Sequence, residues 1–137
     1  MYPDSLKKLI ESFKNLPGIG EKTAERLAFS MISFNDQMLT DFSNSILFVR
    51  DKIKKCSICN GLSETEICGI CSDESRKKNT LFVVEKSRDV FLFERLNIYH
   101  GLYHVLDGVI SPMDGVGPDD INLESLLERI KNNSIDE

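Results

Sequence analysis

The chain has 137 residues, 41% of them hydrophobic and 28% charged. That length holds one ordinary domain or two or three small modules, and it excludes a large enzyme. The 17 Lys and Arg against 22 Asp and Glu give a net charge of -5, which excludes a uniformly positive surface, so a polyanion would have to be met by a local patch. No apolar run approaches the ~20 residues of a membrane span, and Met1-Tyr2-Pro3-Asp4 lacks the basic and apolar regions of a signal peptide, so a cytoplasmic location is expected.

The charge is unevenly spread. Residues 1–55 carry 9 basic and 7 acidic side chains, residues 56–78 carry 3 and 4, and residues 79–137 carry 5 and 11. Contact with phosphate is therefore expected in the first third, whereas the last third repels it. These charge boundaries coincide with changes of pattern, and we divide the chain there into three parts.

Leu6, Leu9, Ile10, Phe13 and Leu16 recur at helical spacing behind Asp4 and Ser5, either of which suits an N-cap, and Pro17 stops the run. A second helix is predicted from Glu21 with Ala24, Leu27, Ala28, Met31 and Ile32 inward. A third is predicted from Asp36 with Leu39, Phe42, Ile46, Val49 and Ile53 inward. Between the first two lies Leu16-Pro17-Gly18-Ile19-Gly20. Bare backbone N–H groups at Gly18 and Gly20, with the following helix N-terminus, suit an anion such as a phosphate. Lys22 and Arg26, four residues apart, share a helix face beside it. The competing reading is a plain helical hairpin whose glycines satisfy the turn and whose Lys22 and Arg26 pair with Glu21 and Glu25.

From Cys56 the apolar period vanishes. Cys56-Ser57-Ile58-Cys59 and Cys68-Gly69-Ile70-Cys71 are separated by eight residues, and each C-x-x-C can place two thiolates on one side of a tetrahedral ion. A cytosolic setting disfavours disulfides, and neither pair begins a helix after a strand, as a redox pair would. Four protein ligands leave no open position for water, so the reading is one structural Zn2+ held by Cys56, Cys59, Cys68 and Cys71. Arg76-Lys77-Lys78, with Lys52, Lys54 and Lys55, would extend a basic track if metal-driven folding joined them; otherwise they are a solvated linker.

Leu81 to Val84 reads as a strand buried on both faces, Val90 to Leu96 as a helix, and Tyr103 to Leu106 as a second strand. A Gly- and Pro-rich loop and a helix holding Leu123, Leu126, Leu127 and Ile130 follow. Strand, helix, strand, helix implies a parallel α/β unit. The loop from Ser111 to Asp120 has glycines but lacks the Lys and Ser/Thr of a phosphate-binding P-loop. Its Asp114, Asp119 and Asp120 point to protein contact or to capping of the last helix. His100 and His104 form no catalytic arrangement with Ser or Cys, and a structural role is expected for them.

Taken together, Leu16 to Phe29, the cysteine spacing, Val83-Val84-Glu85, and Tyr103-His104-Val105-Leu106 running into Gly108 to Asp120 resemble the RecR family of bacterial recombination mediators. The resemblance runs from Tyr2 to about Asn133. It implies a helix-hairpin-helix module over 1–55 that grips the DNA backbone through Gly18, Gly20, Lys22 and Arg26, a four-cysteine zinc motif over 56–78, and the start of a Toprim α/β domain over 79–137. It further implies a non-enzymatic, ring-forming, nucleoid-associated protein that works with RecO, and in some contexts RecF, to load recombinase at single-strand gaps. Glu85, Asp114, Asp119 and Asp120 are then candidates for partner contact.

Family members continue into further Toprim strands, a second acidic motif and a subunit-joining region. The expectation is therefore a partial chain with an unpaired sheet edge, able to dimerise through its helices but not to close a ring. In catalytic Toprim enzymes a Glu placed like Glu85 works on Mg2+ with a later Asp-x-Asp pair. One carboxylate cannot build that shell, which ranks a primase-like enzyme, like an adaptor without DNA contact, behind the mediator.

Overall fold

The computed structural model describes residues 1–137, which divide into two compact units, Met1–Asp51 and Lys52–Glu137. The first is helical, with α1 (Asp4–Lys14), α2 (Glu21–Ile32) and most of α3 (Asp36–Lys52). Leu6, Ile10 and Phe13 of α1 meet Ala24 and Ala28 of α2, with Leu9, Ile19, Leu27 and Met31 packed around them. The two alanines are wholly buried, and their small side chains let the helix backbones approach closely. Burying the Leu, Ile and Phe contributes roughly 1.5–3 kcal/mol each.

Three details depart from the sequence reading. Pro3 stands at the α1 N-cap, and neither Asp4 nor Ser5 makes a capping hydrogen bond. Leu16 and Ile32 are exposed. Most importantly, α3 buries none of its residues, and Phe42, Ile46, Val49 and Ile53, expected inward, all lie in solvent. The periodicity marks a true apolar stripe, but no element of the helical unit covers it. The start of α3 is well defined by Asn35, whose Oδ1 accepts from the Met38 amide at 2.8 Å.

The second unit opens with a short antiparallel ladder, β1 (Lys54–Lys55) against β2 (Leu62–Ser63), followed by the single turn α4 (Gly69–Ser72). A two-stranded parallel sheet follows. β3 (Leu81–Val84) pairs with β4 (Leu102–Val105) in the register Leu81 to Leu102 through Val84 to Val105. The helix between them is α5 (Ser87–Leu96), and α6 (Leu123–Asn132) follows β4 after two short 3-10 turns.

Every residue of β4 is buried. Alternation sends Tyr103 and Val105 into a cluster with Val84 and Val90, where Phe82, Phe93 and Tyr99 stack at ring separations of 4.6 to 5.9 Å. His104, between them, turns the other way, and its Nε2 lies 2.9 Å from the carbonyl of Asn122 at the start of α6. Asn122 also donates to the Val105 carbonyl at 3.0 Å, fixing α6 on the strand.

Both sheet edges carry partners. The Val105 amide donates to the Cys59 carbonyl at 2.8 Å, and the Leu81 amide to that of Glu137 at 2.8 Å. The edge expected to be bare is thus bonded at one point to the cysteine segment.

Candidate metal centre and nucleic-acid interface

The four cysteines converge. Their Sγ atoms all lie within 4.8 Å of one another, and Cys59 and Cys68 are 3.7 Å apart. Zinc–sulfur bonds of ~2.3 Å in a tetrahedron set sulfurs roughly 3.8 Å apart, whereas a disulfide needs about 2.05 Å.

The backbone shapes the cage. Asn60, with a φ of 60°, turns the chain behind Cys59. Backbone amides then point at three of the sulfurs: Gly61 at Cys59 (3.4 Å), Cys68 at Cys56 (3.3 Å) and Cys71 at Cys68 (3.5 Å). Such N–H donors stabilise thiolate charge. The Cys59 thiol is drawn down to about 5, chiefly by a hydrogen bond with Cys71, while Cys71 is pushed up by the same bond and by burial. Donor set, spacing and amide pattern fit one structural Zn2+. That ion would be held by all four thiolates and would supply folding free energy, with no open position for chemistry.

At the helical hairpin, Gly18 has a φ of 81°, a left-handed conformation that favours glycine. Gly20 is extended and forms the α2 N-cap without a side chain to fill it, and a Cβ at either glycine would meet open space. The first-turn amides of α2 are left uncapped by any side chain. Lys22 and Arg26 are exposed and form no ion pair. Of the two partners they were offered by the simpler hairpin reading, Glu25 pairs with neither, and Glu21 is taken by Lys14 at 2.6 Å, which also holds Glu11 at 2.9 Å. These two bonds, that to Glu21 foremost, raise the Lys14 pKa well above the ordinary lysine value and tie the end of α1 to the start of α2.

The acidic candidates stay apart. Glu85 follows directly on β3, exposed, with Lys86 Nζ 4.0 Å away. Asp114 accepts from the Ser111 hydroxyl at 2.6 Å and Asp120 from the Gly117 amide at 2.8 Å, so both brace their loop, and Asp119 is exposed. No hydrogen bond or ion pair joins Glu85 to these three. Part of the basic track across the cysteine segment is engaged within the fold. Arg76 is bound in a double hydrogen bond to Glu94 and to the Gly101 carbonyl, Lys55 to Asp107, and Lys78 to the Asp73 carbonyl. His100 is exposed. His104 is fully buried, and that burial lowers its pKa.

Sequence reasoning missed the contacts made by Arg76, Asp107 and Arg129. Of these, Arg129 left a trace: it falls three residues after Leu126, on the apolar stripe of α6, where a charged residue is out of place.

A helical hairpin with an open glycine turn, a four-thiolate centre and a Toprim-like parallel pair define a modular nucleic-acid-associated protein. The comparisons agree part by part. Residues 6–48 match the family model for the RecR helix-hairpin-helix, residues 53–73 that for the RecR four-cysteine zinc finger domain, and residues 79–137 that for the Toprim domain.

The chain is 52% identical over 134 residues to "Recombination protein RecR" of Streptococcus mutans, covering 98% of this chain and 67% of that one. It is 50% identical over 137 residues to the protein of the same name in Streptococcus gordonii, covering 100% and 69%. Against that of Streptococcus equi subsp. zooepidemicus it is 52% identical over 130 residues, covering 95% and 66%. The chain belongs to the RecR family and spans about two thirds of the length of these curated relatives.

Proposed function

We propose that this chain is a DNA-clamping recombination mediator acting in gap repair without catalysis, its three parts being a DNA-gripping module over 1–55, a zinc brace over 56–78 and a partner-facing Toprim part over 79–137. The observation that carries the proposal is the pair Lys22 and Arg26, exposed and free of ion pairs beside an open glycine turn. Gly18, Gly20 and the first amides of α2 would receive a phosphate oxygen, and the two cations would neutralise its neighbours. This is backbone recognition, indifferent to sequence.

RecO, and in some contexts RecF, would meet the acidic part through Glu85, Asp114, Asp119 and Asp120, with Asp119 and Glu85 the freer of the four. A second copy would cover the exposed stripe of α3. Work at the chromosome places the protein in the cytoplasm, at the nucleoid. The mediator reading is preferred to an enzyme because Glu85, the acid at the Toprim position, has Lys86 beside it.

The test is DNA binding against salt for the parent and for Lys22→Ala/Arg26→Ala. Each lost phosphate contact reduces the slope of log affinity against log salt by about 0.7–0.9, so the double variant is expected to bind more weakly and with a slope shallower by about 1.5. An unchanged isotherm would remove these residues from the interface. Magnesium-dependent primer synthesis or nicking abolished by Glu85→Gln would replace the mediator with an enzyme.

A further inference from the structure

Arg129 is buried, only 8% exposed, on the sheet-facing side of α6. Its Nη1 donates to the Tyr103 carbonyl at 2.6 Å, but Nη2 has no partner and no carboxylate pairs with the guanidinium. A buried cation with one neutral acceptor is strongly unfavourable unless a negative charge lies nearby. None comes from an acidic side chain. The cavity of about 240 Å³ beside it is lined by Ile58, Leu102 and Ile135, by Asn133, by a second cation, Lys78, and by Cys71.

Cys71 is the clue to the missing charge. Zinc carries two positive charges and four thiolates carry four negative ones, so the filled centre is a dianion. Arg129 and Lys78 both line this small cavity, one buried and one exposed with its Nζ on the Asp73 carbonyl.

We infer that Arg129, assisted by Lys78, is the counter-charge of the zinc tetrathiolate, a positioning residue that sets how tightly the metal is held and ties it to α6. The inference rests on reading the four cysteines as the zinc site. It also gives the orphaned guanidinium a reason to be buried: each charge makes the burial of the other tolerable, as outer-shell partners of metal ligands commonly do. The reach is electrostatic, across the cavity that Arg129 and Cys71 both line.

The experiment is zinc affinity of the whole chain by chelator competition, at fixed pH and salt, for the parent, Arg129→Met, Arg129→Lys, Lys78→Met and Lys131→Met. Outer-shell losses commonly weaken metal binding about 10–100-fold. Arg129→Met is expected near the lower end of that range, about tenfold, with Arg129→Lys recovering most of it. Lys78→Met should lose less, about threefold, and Lys131→Met, an exposed cation on the same helix, should stay within about twofold of the parent.

Equal affinities for parent and Arg129→Met overturn the inference. So does an equal loss in the Met and Lys variants, which would assign Arg129 to packing. If Arg129→Met does not fold, retained affinity in Arg129→Lys together with a loss in Lys78→Met upholds the inference, and no loss in Lys78→Met overturns it. A parent that binds no zinc would instead sink the metal site on which the inference rests.

Discussion

Arg76 and Glu94 lie 18 positions apart in sequence yet hold one another by two hydrogen bonds in a part-buried setting, with the Gly101 carbonyl as a third partner. Burial works to raise the Glu94 carboxyl, but the hydrogen bonds from Arg76 outweigh it and leave its pKa below the usual glutamate value. A carboxyl whose folded pKa is depressed contributes stability that is fully present above the unfolded value, about 4.3 for Glu, and is lost as pH falls through the folded one. Glu94→Gln should therefore be less stable than the parent at pH 7, by about 1–3 kcal/mol for a partly buried pair. That gap should begin to narrow below about pH 4 and close only once the pH lies below the depressed folded value, as followed by urea unfolding across pH. A gap that stays constant with pH would show that the ionised carboxylate is not what Arg76 needs. Neither this pair nor Arg129 was legible in the sequence as a contact. Charged residues usually lie in solvent, and only the folded chain brings residue 76 to residue 94 or residue 129 beside residue 103.

Local patterns served the elements far better than the contacts between them. The starts of α2 and α3, the two parallel strands and the metal cage follow from spacing over fewer than about twenty residues, where backbone geometry leaves few alternatives. The inward face of α3 did not follow, because periodicity reveals that a helix has an apolar stripe and not what covers it. Met38, Phe42, Ile46 and Val49 recur at intervals of four, four and three and are all exposed. On the proposed reading a second copy covers them. Ile46→Glu, which touches no core residue, should then leave the helical content intact and shift the sedimenting species from dimer to monomer, while a parent that sediments as a monomer at micromolar concentration would refute the pairing. The residues proposed to contact DNA sit at an intermediate level of legibility. The turn and its glycines were readable, but that Glu21 is drawn off by Lys14, leaving Lys22 and Arg26 without ion pairs, is visible only with α1 and α2 folded together.

At the scale of the whole molecule, the net charge of -5 conceals a weakly basic front and an acidic back, and zinc binding makes the centre more negative still. The division into Met1–Asp51 and Lys52–Glu137 gives metal removal a localised effect. Within the second unit the cysteine segment supplies the Val105 amide with its acceptor, and Ile70 packs against both the thiolate cluster and the sheet cluster. Chelation should accordingly abolish hydrogen-exchange protection in residues 56–72, reduce it in β4, and leave the α1–α2 amides protected, since their core contains no residue of the second unit. Uniform loss across both units would show that the helical hairpin depends on the metal as well.

The bond from Val105 to Cys59 has a further consequence. β4 is fully buried and four residues long, and the cysteine knuckle occupies its outer edge as a cap. Taking away the zinc would release that cap and present an unpaired strand to other chains, the geometry from which edge-to-edge aggregation begins. Zinc would then guard against insolubility as much as it supports the fold, and scarcity of the metal would show first as precipitated protein.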